Sequence, residues 1–190
     1  MATRRYAMSY MVEHKRKFDD LKFNIENIDQ LKRKSNGGNS ILFSFPPREE
    51  RLYIDKAEEL YKDQAAFIDL AKLLVDFIDD EGWEAFEEYY KTMASSPHKV
   101  FHDDEAPETD LFDMIVSNIE TASKKGRIPF LLRTGCLYGT GIENQNILEH
   151  KTVMALPTPL VIFYPSSIQD GNLSFLNCKS ASKYRCTLIK

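Results

Sequence analysis

Three short apolar runs set the rhythm of the chain: Ser40–Phe45 (SILFSF), Ile128–Leu132 (IPFLL) and residues 160–164 (LVIFY). Each is too short for a helix and almost continuously hydrophobic, which is how strands buried on both faces of a parallel sheet read. Residues 65–70 (AAFIDL) form a further short strand by the same reasoning, and residues 184–189 (YRCTLI) a last one after a turn and short bridge at 171–175. Elsewhere the apolar period lengthens. Residues 4–34 suit one or two helices with Tyr10, Phe18, Leu21, Ile25, Ile28 and Leu31 on one side, before the turn-forming 35–39 (SNGGN). Helices follow at 48–62 (inner Leu52, Ile54, Ala57), 71–79 (inner Leu74, Val75, Ile78), 83–91 (aromatic stripe Trp83, Phe86, Tyr89, Tyr90) and 111–125 (inner Leu111, Ile115, Ile119). Thr109 or Asp110 can cap the last of these, and Gly126 ends it.

Strand and helix alternating in this way predict an α/β fold: a mostly parallel central sheet with helices on both faces, Rossmann-like or degenerate P-loop-like, without a phosphate loop. At 190 residues the chain suits one domain, with residues 1–39 a helical segment packed on the α/β part at 40–190. The strands at 128–132 and 160–164, joined by a Gly-interrupted loop and a short helix over 142–150, form a βαβ unit. In such units ligand-contacting residues lie just past the carboxyl ends of the strands. Those places hold Arg133 to Gly139 and Tyr164 to Ser167. The candidate partner or ligand rim is therefore Arg133, Tyr138, Asn144, Asn146, Glu149, Tyr164 and Ser166. Within it Asn144, Asn146 and Glu149 can offer a hydrogen-bonding helix face while Ile147 and Leu148 turn to the sheet.

Specific chemistries fare poorly against this layout. After the first strand, where a phosphate loop would stand, the chain reads Phe45-Pro46-Pro47-Arg48-Glu49-Glu50. Prolines remove the backbone amides that such a loop needs, and the glutamates repel its anion. The glycines of 135–141 (GCLYGTG) are better explained by turn geometry. Cys136, with His98, His102 or His150 brought near it, is the one nucleophile candidate, and the GxSxG elbow is absent. The loop at 102–107 (HDDEAP) holds metal-ligand types, but adjacent residues cannot all converge on one ion. Cys136, Cys178 and Cys186 lack CxxC spacing. The expectation is a non-enzymatic protein with no catalytic residue, metal or cofactor.

Charge adds a regional asymmetry. Net charge is −4, yet residues 1–45 carry nine basic against five acidic groups, residues 46–110 seven against 19, and residues 111–190 nine against five. An acidic middle discourages direct DNA contact and suits either a solvated helical face or a basic partner. With 43% hydrophobic and 28% charged residues, neither disorder nor a membrane span is indicated. The amino terminus lacks the apolar core of a secretion signal, so a cytoplasmic location is expected.

One resemblance covers nearly the whole chain from Ile41 onward. ILFSFPPREE, AFIDLAKLL, PFLLRTGCLYGTGIENQNILEH, PTPLVIFYPSSIQDGNLSFLN and a closing YRCTLIK, in that order, are similar to the BREX phage-defence protein BrxB family. The most specific parts are Pro-Pro-x-Glu-Glu after the first strand, Gly-x-Leu-Tyr after the third, and Pro-Leu-Val-Ile-Phe-Tyr-Pro followed by Gly-x-Leu-x-Phe. Members commonly have a Pro and an aromatic after Leu-Tyr, where this chain has Gly139-Thr140-Gly141, which predicts a more flexible loop. The resemblance implies a cytoplasmic subunit of a BREX system and other BREX subunits as partners: the alkaline-phosphatase-like PglZ first, then the BrxX methyltransferase and the BrxC ATPase. It suggests an adaptor or scaffold role and carries over no catalytic residue. The alternative from the fold alone is a degenerate nucleotide-binding-like sensor of a small ligand at the strand carboxyl ends. Self-association is left open.

Overall fold

Alternation along one strand builds the two cores. In the computed structural model β1 (Ser40–Phe45) turns Ile41, Phe43 and Phe45 to one face of the sheet and Leu42 to the other, all at most 1% exposed. The structure describes all residues except 1, 104, 106–108 and 184, and leaves aside the side chains of 2–11 and 169. The Tyr10 side chain and parts of the 102–107 loop therefore lie outside what is described.

β2 (Ala65–Asp69), β3 (Ile128–Leu132), β4 (Leu160–Gln169), the short β5 (Asn172–Phe175) and β6 (Lys179–Ser180), and β7 (Cys186–Ile189) complete the strands. The main sheet runs β2-β3-β4-β1-β7, and every neighbouring pair in it is parallel. β5 pairs antiparallel with the far half of β4, and β6 with β5.

Helices cover both faces, as expected. On the first, α1 (Ala2–Glu26), α2 (Ile28–Lys34) and α3 (Glu50–Tyr61) bring Phe18, Leu21, Leu31 and Tyr53 against Phe43, Phe130 and Phe163. On the second, α4 (Leu70–Glu81), α6 (Leu111–Lys124), α7 (Asn144–Glu149) and α8 (Lys151–Met154) pack Leu70, Ile115, Ile119 and Ile147 against Leu42, Leu131 and Ile162. Between α4 and α6, α5 (Trp83–Thr92) packs Phe86 on Phe77 of α4 and Phe101. Asp69 caps α4, and Asp110 caps α6 by accepting from the Asp113 N–H at 2.8 Å.

Three boundaries differ from the sequence expectation. β4 does not stop at Tyr164 but runs to Gln169, leaving the parallel sheet at Pro165 for the β5 hairpin. The helix expected over 142–150 is the shorter α7: His150 adopts extended backbone (φ −64°, ψ 133°) and ends it, and a second short helix, α8, begins only at Lys151. Pro47–Glu49 forms a 3-10 turn, so α3 begins only at Glu50. At the turn before β1 only glycine fits, because a Cβ on Gly38 would stand 1.9 Å from the Arg185 carbonyl oxygen.

Candidate functional site

The carboxyl edge of the sheet divides into a polar centre and an apolar slot at its side. At the centre, β1 ends in Ser44 and Phe45, β2 in Asp69, and β3 is followed by Arg133. Arg133 takes a left-handed conformation (φ 55°) that starts the 3-10 turn Thr134–Leu137 and pairs its guanidinium with Asp69 Oδ2. The other oxygen of Asp69 accepts from the Ala71 and Lys72 N–H groups. Glu50, at the start of α3, faces the same pair. Burial pushes its carboxyl above the usual range, with Arg133 opposing and Asp69 reinforcing the shift.

Cys136 sits in the turn that follows. Its thiol is pushed up to about 11 by burial, then by the charges of Asp69 and Glu50. A thiol so placed stays protonated at neutral pH and is a poor nucleophile. The candidate histidines have other occupations. His102 Nδ1 lies 2.9 Å from Asp110 Oδ2 and its ring packs on Phe112, while His150 meets Phe112 edge-on and His98 lies against Gly141. Among the described residues no group of three or more His, Cys, Asp or Glu is arranged to hold a metal ion.

Beneath the centre the polar groups are satisfied internally. Thr134 Oγ1 donates to the Phe163 carbonyl at 2.7 Å, and Ser166 Oγ donates to Ser44 Oγ at 2.9 Å. Lys17 reaches in from α1: its Nζ, almost wholly buried, donates to the Ser44 carbonyl at 3.3 Å and lies 3.5 Å from Glu13 and 5.3 Å above the Tyr53 ring. A carbonyl, a carboxylate and a ring face together offset the cost of burying that ammonium.

The side slot lies between α7 and the β4–β5 hairpin. Leu137, Ile142, Ile147, Ile162, Tyr164 and Phe175 wall it, Tyr138 and Asn144 stand at its mouth, and Tyr164 stacks on Phe175 at 4.6 Å. It encloses about 480 Å³ counting its open mouth. The closed part has room for only two or three waters, smaller than a nucleotide. The mouth is strapped by Asn144 donating to the Ser182 carbonyl at 2.6 Å and by the Lys179–Glu143 ion pair at 2.7 Å.

Of the seven rim residues, the structure thus gathers Tyr138, Asn144 and Tyr164 at the slot. Arg133 is at the polar centre. Ser166, expected in a loop past the strand, is inside β4 and 2% exposed, because the strand continues into the hairpin. Asn146 Oδ1 accepts from the Glu143 N–H at 2.7 Å, which closes the first turn of α7, and Glu149 takes a long hydrogen bond from Gln145 on the exposed side. The loop expected to be flexible at Gly139-Thr140-Gly141 is tied: Thr140 Oγ1 donates to Leu137 and accepts from the Ile142 N–H. A Cβ on Gly141 would meet His98 Cβ at 2.7 Å, so only glycine fits there. Sequence reasoning missed Lys17 and Asp69, and met Glu50 only as part of Pro-Pro-x-Glu-Glu. Asp69 was readable as a helix cap; Lys17 carried no signal.

A family model described as BREX protein BrxB matches residues 66–189, from β2 to the end of β7. The chain belongs to the BrxB family. Membership makes it a component of a BREX antiviral defence system and points to other BREX subunits as its partners. The match omits β1, although β1 is the strand between β4 and β7, so the folded unit extends beyond the matched BrxB segment. No curated protein and no solved structure matches the chain. Among the described residues no helix is long and apolar enough to cross a membrane.

Proposed function

We propose that the chain is a non-enzymatic adaptor or scaffold subunit of its BREX system and that PglZ is the subunit it binds. The observation that carries this reading, beside family membership, is how the sheet's carboxyl edge is filled. In an open α/β sheet that edge is where substrates and cofactors are held. Here the position after β1 carries prolines and Glu49 and Glu50, the Arg133 cation is already neutralised by Asp69, and the Cys136 thiol is held protonated. Groups that elsewhere bind anions or attack carbonyls are spent on each other, and what is left to offer is surface.

Co-expression of the tagged chain with each subunit of its own BREX operon tests the proposal. The expected result is stoichiometric co-purification with PglZ. A chain that elutes alone with every BREX subunit present overturns the adaptor role, and capture of a different subunit overturns PglZ as the partner. The ligand-sensor alternative predicts a thermal shift with a nucleotide, by about 2.7 kcal/mol at a hundredfold excess over the dissociation constant.

A further inference from the structure

The outer helices α4 and α5 carry an aromatic face that nothing among the described residues covers. Trp83, Tyr89 and Tyr90 keep 59%, 50% and 42% of their surface exposed. Beneath them Phe86 is buried and belongs to neither main core; its ring lies 6.2 Å from Trp83, 6.1 Å from Tyr90 and 6.0 Å from Phe101. Alongside runs a groove of about 1210 Å³, counting its open side, with Phe77, Phe86 and Val100 as floor and Glu81, Tyr89 and Asp110 among its edges. Half-exposed aromatic rings over a packed apolar floor, rimmed by polar groups, are the anatomy of a protein-binding patch.

Charge identifies the occupant. Residues 70–92 hold seven carboxylates and two lysines. Both lysines are engaged within their own helices, Lys72 with Asp76 and Lys91 with Glu87. Asp79, Asp80, Glu81, Glu84 and Glu88 thus face solvent with no cation paired to them among the described residues, and Lys99 on the groove edge is held by Asp103. Such a surface repels nucleic acid and attracts protein cations.

We propose that the α4–α5 face docks a Lys- and Arg-bearing segment of a partner protein, whose aliphatic stems lie across Trp83 and Tyr89 while its cations meet the carboxylates. This rests on the adaptor reading and adds the surface by which it operates. The test uses the full chain and the purified BREX subunits, with binding followed by calorimetry at two salt concentrations. Two variants are compared: Trp83→Ala with Tyr89→Ala, and Glu81→Lys with Glu84→Lys and Glu88→Lys. Each is expected to weaken the complex about tenfold or more, the wild-type affinity is expected to fall with salt, and thermal melts are expected to stay unchanged. Because the three glutamates are all exposed, the charge variant keeps the test decisive even if the aromatic one fails to fold. A subunit that binds wild type and both variants equally overturns this surface and leaves the adaptor reading standing. Binding of no subunit overturns both. If light scattering instead shows a self-associated chain that the variants convert to monomer, the occupant is a second copy and the basic partner is overturned.

Discussion

At the scale of single residues, the polar centre is held by carboxylates that serve more than one neighbour. Asp69 uses Oδ1 to cap α4 and Oδ2 to hold Arg133. Its side chain is 31% and that of Arg133 50% exposed, so solvent screens the ion pair and the cap is the larger contribution. Asp69→Ala is expected to lower stability by about 1–2 kcal/mol in urea unfolding. Asp69→Asn keeps a capping oxygen and is expected to cost well under half as much. Equal losses would mean that the ion pair, not the cap, holds this corner. Glu50 gives a prediction of opposite sign. Its Oε1 is buried without a hydrogen-bond partner among the described residues, and its carboxyl is raised by burial. A carboxyl that binds its proton more tightly folded than unfolded favours the fold below its ordinary value of 4.5, and that contribution is lost as pH rises through the folded value. Glu50→Gln should therefore be more stable than wild type at neutral pH and no more stable in acid. A Glu50→Gln midpoint at neutral pH equal to or below wild type would remove the claim that this carboxylate is confined.

At the scale of elements, α1 belongs to the core rather than to an appendage. Its Leu21 is fully buried and its Phe18 packs 5.2 Å from Phe43. Leu21→Ala is expected to cost about 2–5 kcal/mol and to leave a single unfolding transition in guanidinium. Two transitions would show a helical segment that melts on its own. How legible an element was depended on how it is buried. β1 and β3 read as unbroken apolar runs because both of their faces are covered, and their bounds match the expectation. The far half of β4, SSIQ, pairs only with β5 and loses the apolar signal, so it read as loop and made Ser166 look like a rim residue. The slot was partly legible, since Tyr138, Asn144 and Tyr164 do converge. Arg133 meeting Asp69 was not, because the two are 64 residues apart and only the β2–β3 register brings them together. Asn146 was read as a surface donor, yet its oxygen closes the helix that carries it, a choice that helix length decides and spacing does not.

At the scale of the whole molecule, burial in the α/β sandwich holds Tyr61, Tyr164, Cys136 and Cys186 in the neutral form. Burial pushes Tyr61 up to about 12, Cys186 up to about 12 and Cys136 up to about 11, and raises Tyr164 further. Tyr61 belongs to the first core and Tyr164 and Cys186 to the second, so both faces of the sheet are affected. In the unfolded chain these groups ionise near their ordinary values of 9 for cysteine and 10 for tyrosine. The sign follows from linkage: where the unfolded chain has lost protons that the folded one retains, stability falls as pH rises. Their contribution is thus complete below about pH 9 and declines through the range from about 9 to about 12, while the net charge of −4 grows more negative and adds self-repulsion. Thermal melts should hold steady around neutrality and drop progressively on the alkaline side, and Tyr61→Phe, which has no phenol to ionise, should drop less steeply. The same burial orders the thiols. Exposed Cys178 should be alkylated by iodoacetamide first, Cys136 next and buried Cys186 last, as read by mass spectrometry of the native chain. A melting temperature indifferent to pH up to about 11 would mean that burial does not hold these phenols and thiols protonated, and Cys136 reacting ahead of Cys178 would mean that the turn after β3 opens to solvent and that the carboxyl edge is chemically available after all.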